Sequence, residues 1–224
     1  NLYWGVLWQS IFYAVASAFI CLLLGYPTAY YIAHRSQTAQ KFLYMLVMLP
    51  MCMSFLLRTL AWVGLLQDTG IINRLLGLIG IGPITLIRTP GAVILGMVYN
   101  YLPYMILPLY STIVKIDHRL IEAAQDLGCN GRKVFSKVIL PLSMPGILSG
   151  VTMVFVPAVS TFYISQKLGG TDTVMIGDVI ERQFKQGSNP NLGAALSLVL
   201  MILVFVCTGI MNRFGGDEEG GVIA

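Results

Sequence analysis

Apolar residues fill the chain in long runs, and polar positions are confined to short interruptions between them. A helix needs about 20 predominantly apolar residues to cross a bilayer. Five stretches reach that length, approximately 6–33, 43–66, 90–114, 139–165 and 192–212, and each predicts a spanning helix. Pro27, Pro50, Pro103, Pro108, Pro145 and Pro157 fall inside them. Packed membrane helices tolerate proline because neighbours satisfy the carbonyls it frees, so kinks rather than loops are predicted. Residues 71–80, IINRLLGLIG, are too short to cross and predict a helix lying along one membrane face.

Composition closes off the alternatives. Only 11% of the 224 residues are charged and 56% are hydrophobic, whereas a soluble domain carries roughly a quarter charged residues. Fourteen Lys+Arg and ten Asp+Glu are too few to cover a water-exposed surface, which excludes a soluble enzyme, a secreted scaffold and a disordered tail. The fold class predicted is an all-α polytopic membrane helix bundle, with a transmembrane domain over 1–214 and a polar tail over 215–224. The net charge of +4 is scattered through short loops, so nucleic acid is not a predicted partner. Cys21, Cys52 and Cys207 lie in apolar runs and Cys129 in a polar one. No pair has metal-ligand spacing and no disulfide framework is suggested.

The loop charges alternate. Arg35, Lys41, Lys115, Arg119, Arg132, Lys133, Lys137 and Arg213 fall on one side; Arg74, Arg88, Lys167, Arg182 and Lys185 fall on the other. By the positive-inside rule the first set is cytoplasmic, which places residue 1 outside and the carboxyl terminus inside. No charge near the amino terminus holds it outside, so a further span upstream of Asn1, making six, is expected. Arg58 is the remaining cation, about 13 Å inside its span at 1.5 Å per residue from Gln67. All ten acids lie outside the spans, so carbonyls, an outer-loop carboxylate or a partner chain are its candidate partners.

The informative polar segment is 117–141, DHRLIEAAQDLGCNGRKVFSKVILP. Asp117 can cap a helix in which Leu120, Ala124 and Leu127 share one face. Gly128 can end that helix in a left-handed conformation. Asn130 can cap a second helix with Val134, Phe135 and Val138 as its apolar stripe, and Pro141 opens the next span. A cytoplasmic helix–turn–helix knuckle is predicted, with Ala123 and Ala124 small enough for a partner surface to approach closely. Pattern alone equally fits an amphipathic connector resting on the membrane.

The residues themselves go further. Glu122-Ala123-Ala124, Gly128 after three intervening residues, then Val138, Leu140 and Pro141 resemble the EAA loop, EAA-x3-G-x9-I-x-L-P, with valine in place of isoleucine. That loop belongs to permease subunits of binding-protein-dependent ABC importers of type I. The resemblance covers the whole chain. In LLLGYPTAYYIA (22–33), LIRTPGAVILGMVYNYLPYMILPLY (86–110), IEAAQDLGCN (121–130) and FYISQKLGGTDTVMIGDVIERQF (162–184), it narrows to spermidine/putrescine permeases of the first-subunit kind.

The resemblance implies a multi-pass protein of the bacterial inner membrane that takes a polyamine into the cytoplasm. It implies four kinds of partner: a second homologous permease, a dimer of cytoplasmic ATPases, an extracytoplasmic substrate-binding protein and the lipid bilayer. It implies that 117–127 is a coupling helix, with Leu120, Glu122, Ala123, Ala124, Leu127 and Gly128 as the ATPase-coupling residues. Glu122 is then a polar contact or a cap within the knuckle. The chain has no Gly-rich run ending in Gly-Lys-Ser/Thr, so ATP and Mg²⁺ are expected on the partner ATPase, with no cofactor and no catalytic or metal site in this chain.

Two weaker groups are candidates for the substrate pathway. Tyr99, Asn100, Tyr101 and Tyr104 sit with Pro103 and Pro108 in one span, where rings and an amide can meet a cation. Asp172, Asp178 and Glu181 lie in the outer loop beside Lys167, Arg182 and Lys185. Packing between helices and a solvated loop explain the two groups equally well. A permease for another solute (iron, thiamine, sulfate, phosphonate) shares the EAA loop. A proton-coupled carrier would bury carboxylates or histidines in its spans, and a membrane enzyme would gather His, Asp, Ser or Cys at one depth. The sequence does neither.

Overall fold

A computed structural model describes residues 2–78, 84–171, 173–185 and 189–215. Twelve α-helices follow one another in these residues: α1 (Leu2–Ala33), α2 (Gln37–Met48), α3 (Phe55–Leu66), α4 (Ile71–Leu78), α5 (Pro90–Ile113) and α6 (His118–Asp126). They continue with α7 (Gly131–Val134), α8 (Leu140–Leu142), α9 (Met144–Ser160), α10 (Tyr163–Leu168), α11 (Ile176–Lys185) and α12 (Pro190–Gly215).

The core is α1, α5 and α9, and small residues bring them together. Along α1, Ala14, Ala18, Cys21, Gly25 and Ala29 recur at helical spacing and are buried, while Phe12, Phe19 and Leu23 on the far side are exposed. The small stripe lets α1 lie close and parallel to α5: the Cys21 thiol meets the Val98 carbonyl at 3.7 Å, and a Cβ on Gly25 would sit 3.0 Å from Met105 Cγ. Helix α9 returns antiparallel, with Gly146 and Gly150 four apart against Pro108, Thr112 and Met105. Without a hydrophobic drive between helices in lipid, such close backbone approach is what van der Waals packing requires. Helix α12 rests on α9 and α11, and Leu198, Val199, Ile202 and Phe205 point outward. An apolar outer face of that extent suits lipid, not water.

The spans differ from expectation in two places. Residues 43–66 are not one helix. Pro50 opens a 3-10 turn over Leu49–Cys52, Met53 is extended, and α3 starts afresh after Ser54; proline removes the N–H that would continue the ladder. The run long and apolar enough to cross is instead Phe55–Leu78, which takes in residues 71–78 of the segment expected to lie along the surface; 79 and 80 lie outside the described residues. The stretch 139–165 also breaks. Gly131–Leu142 and Met144–Ser160 meet at 61°, the first containing a π turn at Phe135–Ile139, and Pro141 lies before the bend rather than starting the span. Tyr3–Ala33, Pro90–Ile113 and Pro190–Met211 are long enough to cross as expected, and α1 and α5 run unbroken through Pro27, Pro103 and Pro108.

Candidate functional site

The knuckle forms at one end of the bundle as its residues predict. Asp117 Oδ1 accepts the Arg119 N–H at 3.0 Å and starts α6. The helix closes when Gly128, at φ +80°, donates its N–H to Gln125 O (2.8 Å) while Cys129 donates to Ala124 O (3.1 Å). Those paired bonds define a Schellman end, which needs a left-handed residue at the glycine position. Asn130 Oδ1 then accepts the Lys133 N–H at 3.3 Å and starts α7.

Exposure divides the coupling residues. Leu127 is 85% exposed and Leu120 49%; Glu122, Ala123 and Gly128 are also exposed, and Ala124 is half-buried. Leu120, Ala124 and Leu127 therefore do not form one uniform face. Ile121 turns inward to a small cavity shared with Ala33, Ile113, Ile116 and Ile139. Glu122 forms no cap and no ion pair among the described residues. The expected stripe on the second helix is also uneven, with Val134 buried, Val138 half-buried and Phe135 partly exposed.

The junction between knuckle and bundle was not foreseen from the sequence. Tyr26, buried on α1, shares a 2.9 Å hydrogen bond with Ser143 at the bend and packs edge-on against Phe135 with ring centroids 5.6 Å apart. A tyrosine between Gly25 and Pro27 within an apolar run is the signal that marked it.

The four α5 candidates do not share one lining. Tyr101 is buried and donates to Pro157 O at 3.4 Å, with the Tyr104 ring 6.4 Å away. Tyr99 turns the other way, against Trp62 at 5.3 Å. Asn100 is buried; its amide donates to Gly96 O at 2.9 Å while Oδ1 has no partner among the described residues. Arg58 on α3 is buried, and its Nε and Nη1 have no hydrogen-bond partner among the described residues. Neither a carbonyl nor an outer-loop carboxylate of those residues meets it.

Of the outer acids, Asp172 lies outside the described residues. Asp178 is 2% exposed; its Oδ2 accepts from Ser165 Oγ (2.7 Å) and from the Met175 N–H (2.9 Å). That second bond is the reciprocal half of a capping box at the start of α11. Burial pushes the Asp178 carboxyl above the ordinary carboxylate range, against the lowering by Ser165. Glu181 is lowered, first by its hydrogen bond to Lys185, with which it pairs at 2.6 Å; Gln166 also donates to it.

A carboxyl raised on folding stabilises the fold below its ordinary value, and that contribution is lost as pH rises through the raised value. Protection of α11 against hydrogen exchange, corrected for the intrinsic base-catalysed rate, should therefore fall as pH rises above the ordinary carboxylate range, and Asp178→Asn should flatten that dependence while keeping the cap. Asp178→Ala should lose the cap, at about 1 kcal/mol. A wild-type profile that is flat or opposite in sign would remove the buried-carboxyl account.

Comparison with known proteins places these features. The family described as "Binding-protein-dependent transport system inner membrane component" matches residues 22–215. A spermidine/putrescine transport system permease protein of Haemophilus influenzae is 42% identical over 214 residues, covering 95% of this chain and 75% of the relative. The protein of the same description from Escherichia coli is 39% identical over 205 residues, covering 91% and 74%. An inner membrane ABC transporter permease protein of Escherichia coli is 30% identical, covering 96% and 73%. Among solved structures, a bacterial ABC transporter that imports alginate superposes with a TM-score of 0.73 at 19% identity, over 92% of this chain and 78% of that one. The methionine ABC transporter, in an inward-facing conformation, gives 0.70 at 18%, over 94% and 93%. At those identities the two structures speak for the fold alone.

Proposed function

The chain belongs to the family of binding-protein-dependent transport system inner membrane components, and from that premise we propose that it is the permease subunit through which a polyamine passes from an extracytoplasmic binding protein into the cytoplasm. The observation that carries the solute is the 42% identity, over nearly the whole chain, to a spermidine/putrescine permease. The chain is a transport subunit of the bacterial inner membrane. A second permease completes the pathway, and a pair of cytoplasmic ATPases supplies the energy and holds the ATP and Mg²⁺; this chain holds no cofactor.

The knuckle is the coupling contact in this reading. Its exposed Leu120, Ala123 and Leu127 enter a groove of the ATPase, with Ala124 beside them and Gly128 setting the turn. Glu122, which caps nothing within the knuckle, is left to meet the partner. ATP-driven closure of the ATPases drags α6, and the segment 131–142 carries the motion to the spans through the Ser143 bend. Binding at the knuckle must differ between inward- and outward-facing states, because a contact of equal strength in both shifts nothing.

Passing a polyamine requires replacing the hydration of two or more ammonium groups. The one acid inside a span among the described residues is Asp68, at the turn between α3 and α4 of Phe55–Leu78, so tight binding belongs to the binding protein, and this chain offers a weak passage in which the Tyr101–Tyr104 pair supplies aromatic faces. Of the outer acids, Asp172 and Glu181 bear on the approach to it, whereas Asp178, buried and bonded to Ser165 and to the Met175 N–H, is left a structural part. A complex of both permeases and the ATPases in liposomes, with ATP inside and loaded binding protein outside, should accumulate labelled spermidine or putrescine. Import of an anion, a sugar or a metal chelate in place of either amine would overturn the polyamine reading and leave family membership standing.

A further inference from the structure

A polar cavity of about 370 Å³ opens at the end of the bundle opposite the knuckle, between the loop before α5 and the turn joining α10 to α11. Arg88, Ser165, Gln166, Thr173, Asp178 and Arg182 contribute to its lining. Both arginines are exposed, and neither side chain has an ion pair or hydrogen bond among the described residues, where Lys185–Glu181 is the single ion pair.

Arg88 is held in place by its backbone. Its φ is +62°, the one positive value at a non-glycine position among the described residues, a conformation that a Cβ disfavours. Its N–H donates to Leu168 O at 2.9 Å. Its carbonyl is crossed so closely by Gly170 that a Cβ there would stand 2.8 Å away. Asp178 is the acid in the described lining, and it is committed to Ser165 and to the Met175 N–H, so it is not free to swing out and neutralise both guanidiniums. The charged residues of the described lining are Arg88, Arg182 and Asp178; Glu181 also acts on Arg182 electrostatically, but its carboxylate is drawn to Lys185 at 2.6 Å.

We infer that this cavity is a docking socket for a carboxylate side chain on the surface of the extracytoplasmic binding protein. The inference rests on the function proposed above, which brings that protein to this end of the bundle. A guanidinium recognises a carboxylate with two parallel hydrogen bonds, and two guanidiniums at one polar cavity give the contact both charge and direction. A polyamine ammonium approaching the same cavity is repelled. The socket therefore fits the carrier and excludes the cargo, which leaves the cargo free to enter the pathway while the carrier is held.

The test uses the complete reconstituted complex and measures the binding-protein concentration that half-maximally stimulates its ATPase. Arg88→Gln with Arg182→Gln should raise that concentration about tenfold or more and leave basal ATPase unchanged. Added salt should weaken the wild type and affect the double variant much less. Arg88→Gly, which relieves the positive φ and so avoids added backbone strain, should show a loss of the same kind, and Arg88→Lys should restore part of it. An unshifted half-maximal concentration with unchanged salt dependence in the double variant overturns the inference alone. A shift present only in vesicles containing anionic lipid also overturns it, assigning the cavity to a lipid phosphate. Failure of a polyamine-loaded binding protein to stimulate the wild type overturns the underlying function, and the socket with it.

Discussion

Replacing Leu127 by Asp is expected to abolish ATP-driven uptake while the subunit still folds and inserts. Leu127 is 85% exposed and ends the knuckle helix, where its backbone rather than its side chain makes the C-terminal bonds. The fold therefore loses almost nothing when the side chain changes. A coupling groove loses much more. Burying a leucine is worth about 1.5–3 kcal/mol, and removing one partner's complement so that a carboxylate is buried unpaired costs about 3–5 kcal/mol. Together these exceed a thousandfold in affinity at 1.4 kcal/mol per decade. The complex should either shed its ATPases on purification or hydrolyse ATP without transport. Ala124→Asp should act in the same direction, but Ala124 is half-buried, so part of its effect would be local packing. Normal uptake by a fully assembled Leu127→Asp complex would show that this helix does not couple.

The knuckle was legible because each of its ends carries its own chemistry. Asp117, Gly128 and Asn130 are residue types that start, stop and restart a helix for stereochemical reasons, and all three do so here. Which side of the helix would be free was less legible. Spacing placed Ala124 with Leu120 and Leu127, but Ala124 is half-buried while both leucines are exposed, on a helix against which the neighbouring 131–139 segment packs. The π turn at Phe135–Ile139 rotates that segment, and no residue type announces a π turn.

The spans were legible as composition and much less as geometry. In a bilayer both the packed face and the lipid face of a helix are apolar, so hydropathy gives a length without a direction. The fate of Tyr99, turned away from Tyr101, follows from helical geometry that composition does not weigh. Pro50 breaks its stretch, whereas Pro27, Pro103 and Pro108 do not. Burial does not separate them, since Pro27 is exposed in an unbroken helix and Pro50 is half-buried at the break. Asp178 read as an outer-loop acid, open to a pathway role or to plain solvation; in the fold it is buried and bonded to Ser165, thirteen residues away.

The glycine pair in α9, which the apolar pattern did not single out, leads to the largest expected loss of folded subunit. Gly146→Leu combined with Gly150→Leu should prevent α9 from seating on α5. A Cβ at 146 would stand 2.6 Å from Thr112 Oγ1 and 3.0 Å from Pro108 O; one at 150 would stand 2.7 Å from Met105 Sδ and 3.3 Å from Met105 O. The thioether can move. The two carbonyls belong to the backbone of α5 and cannot move without shifting that helix, which α1 also grips along its small-residue stripe. Overpacking costs about 1–3 kcal/mol per site where a core can adjust, so about 2–6 kcal/mol is expected for the pair, against a total stability of roughly 5–15 kcal/mol. Gly209→Leu on α12, where a Cβ meets nothing within 4 Å, is the matched control and should leave the subunit's stability unchanged. The measurement is thermal unfolding and monodispersity of the detergent-solubilised subunit. Equal melting of the double variant and the Gly209→Leu control would mean that α5 and α9 do not meet through these glycines.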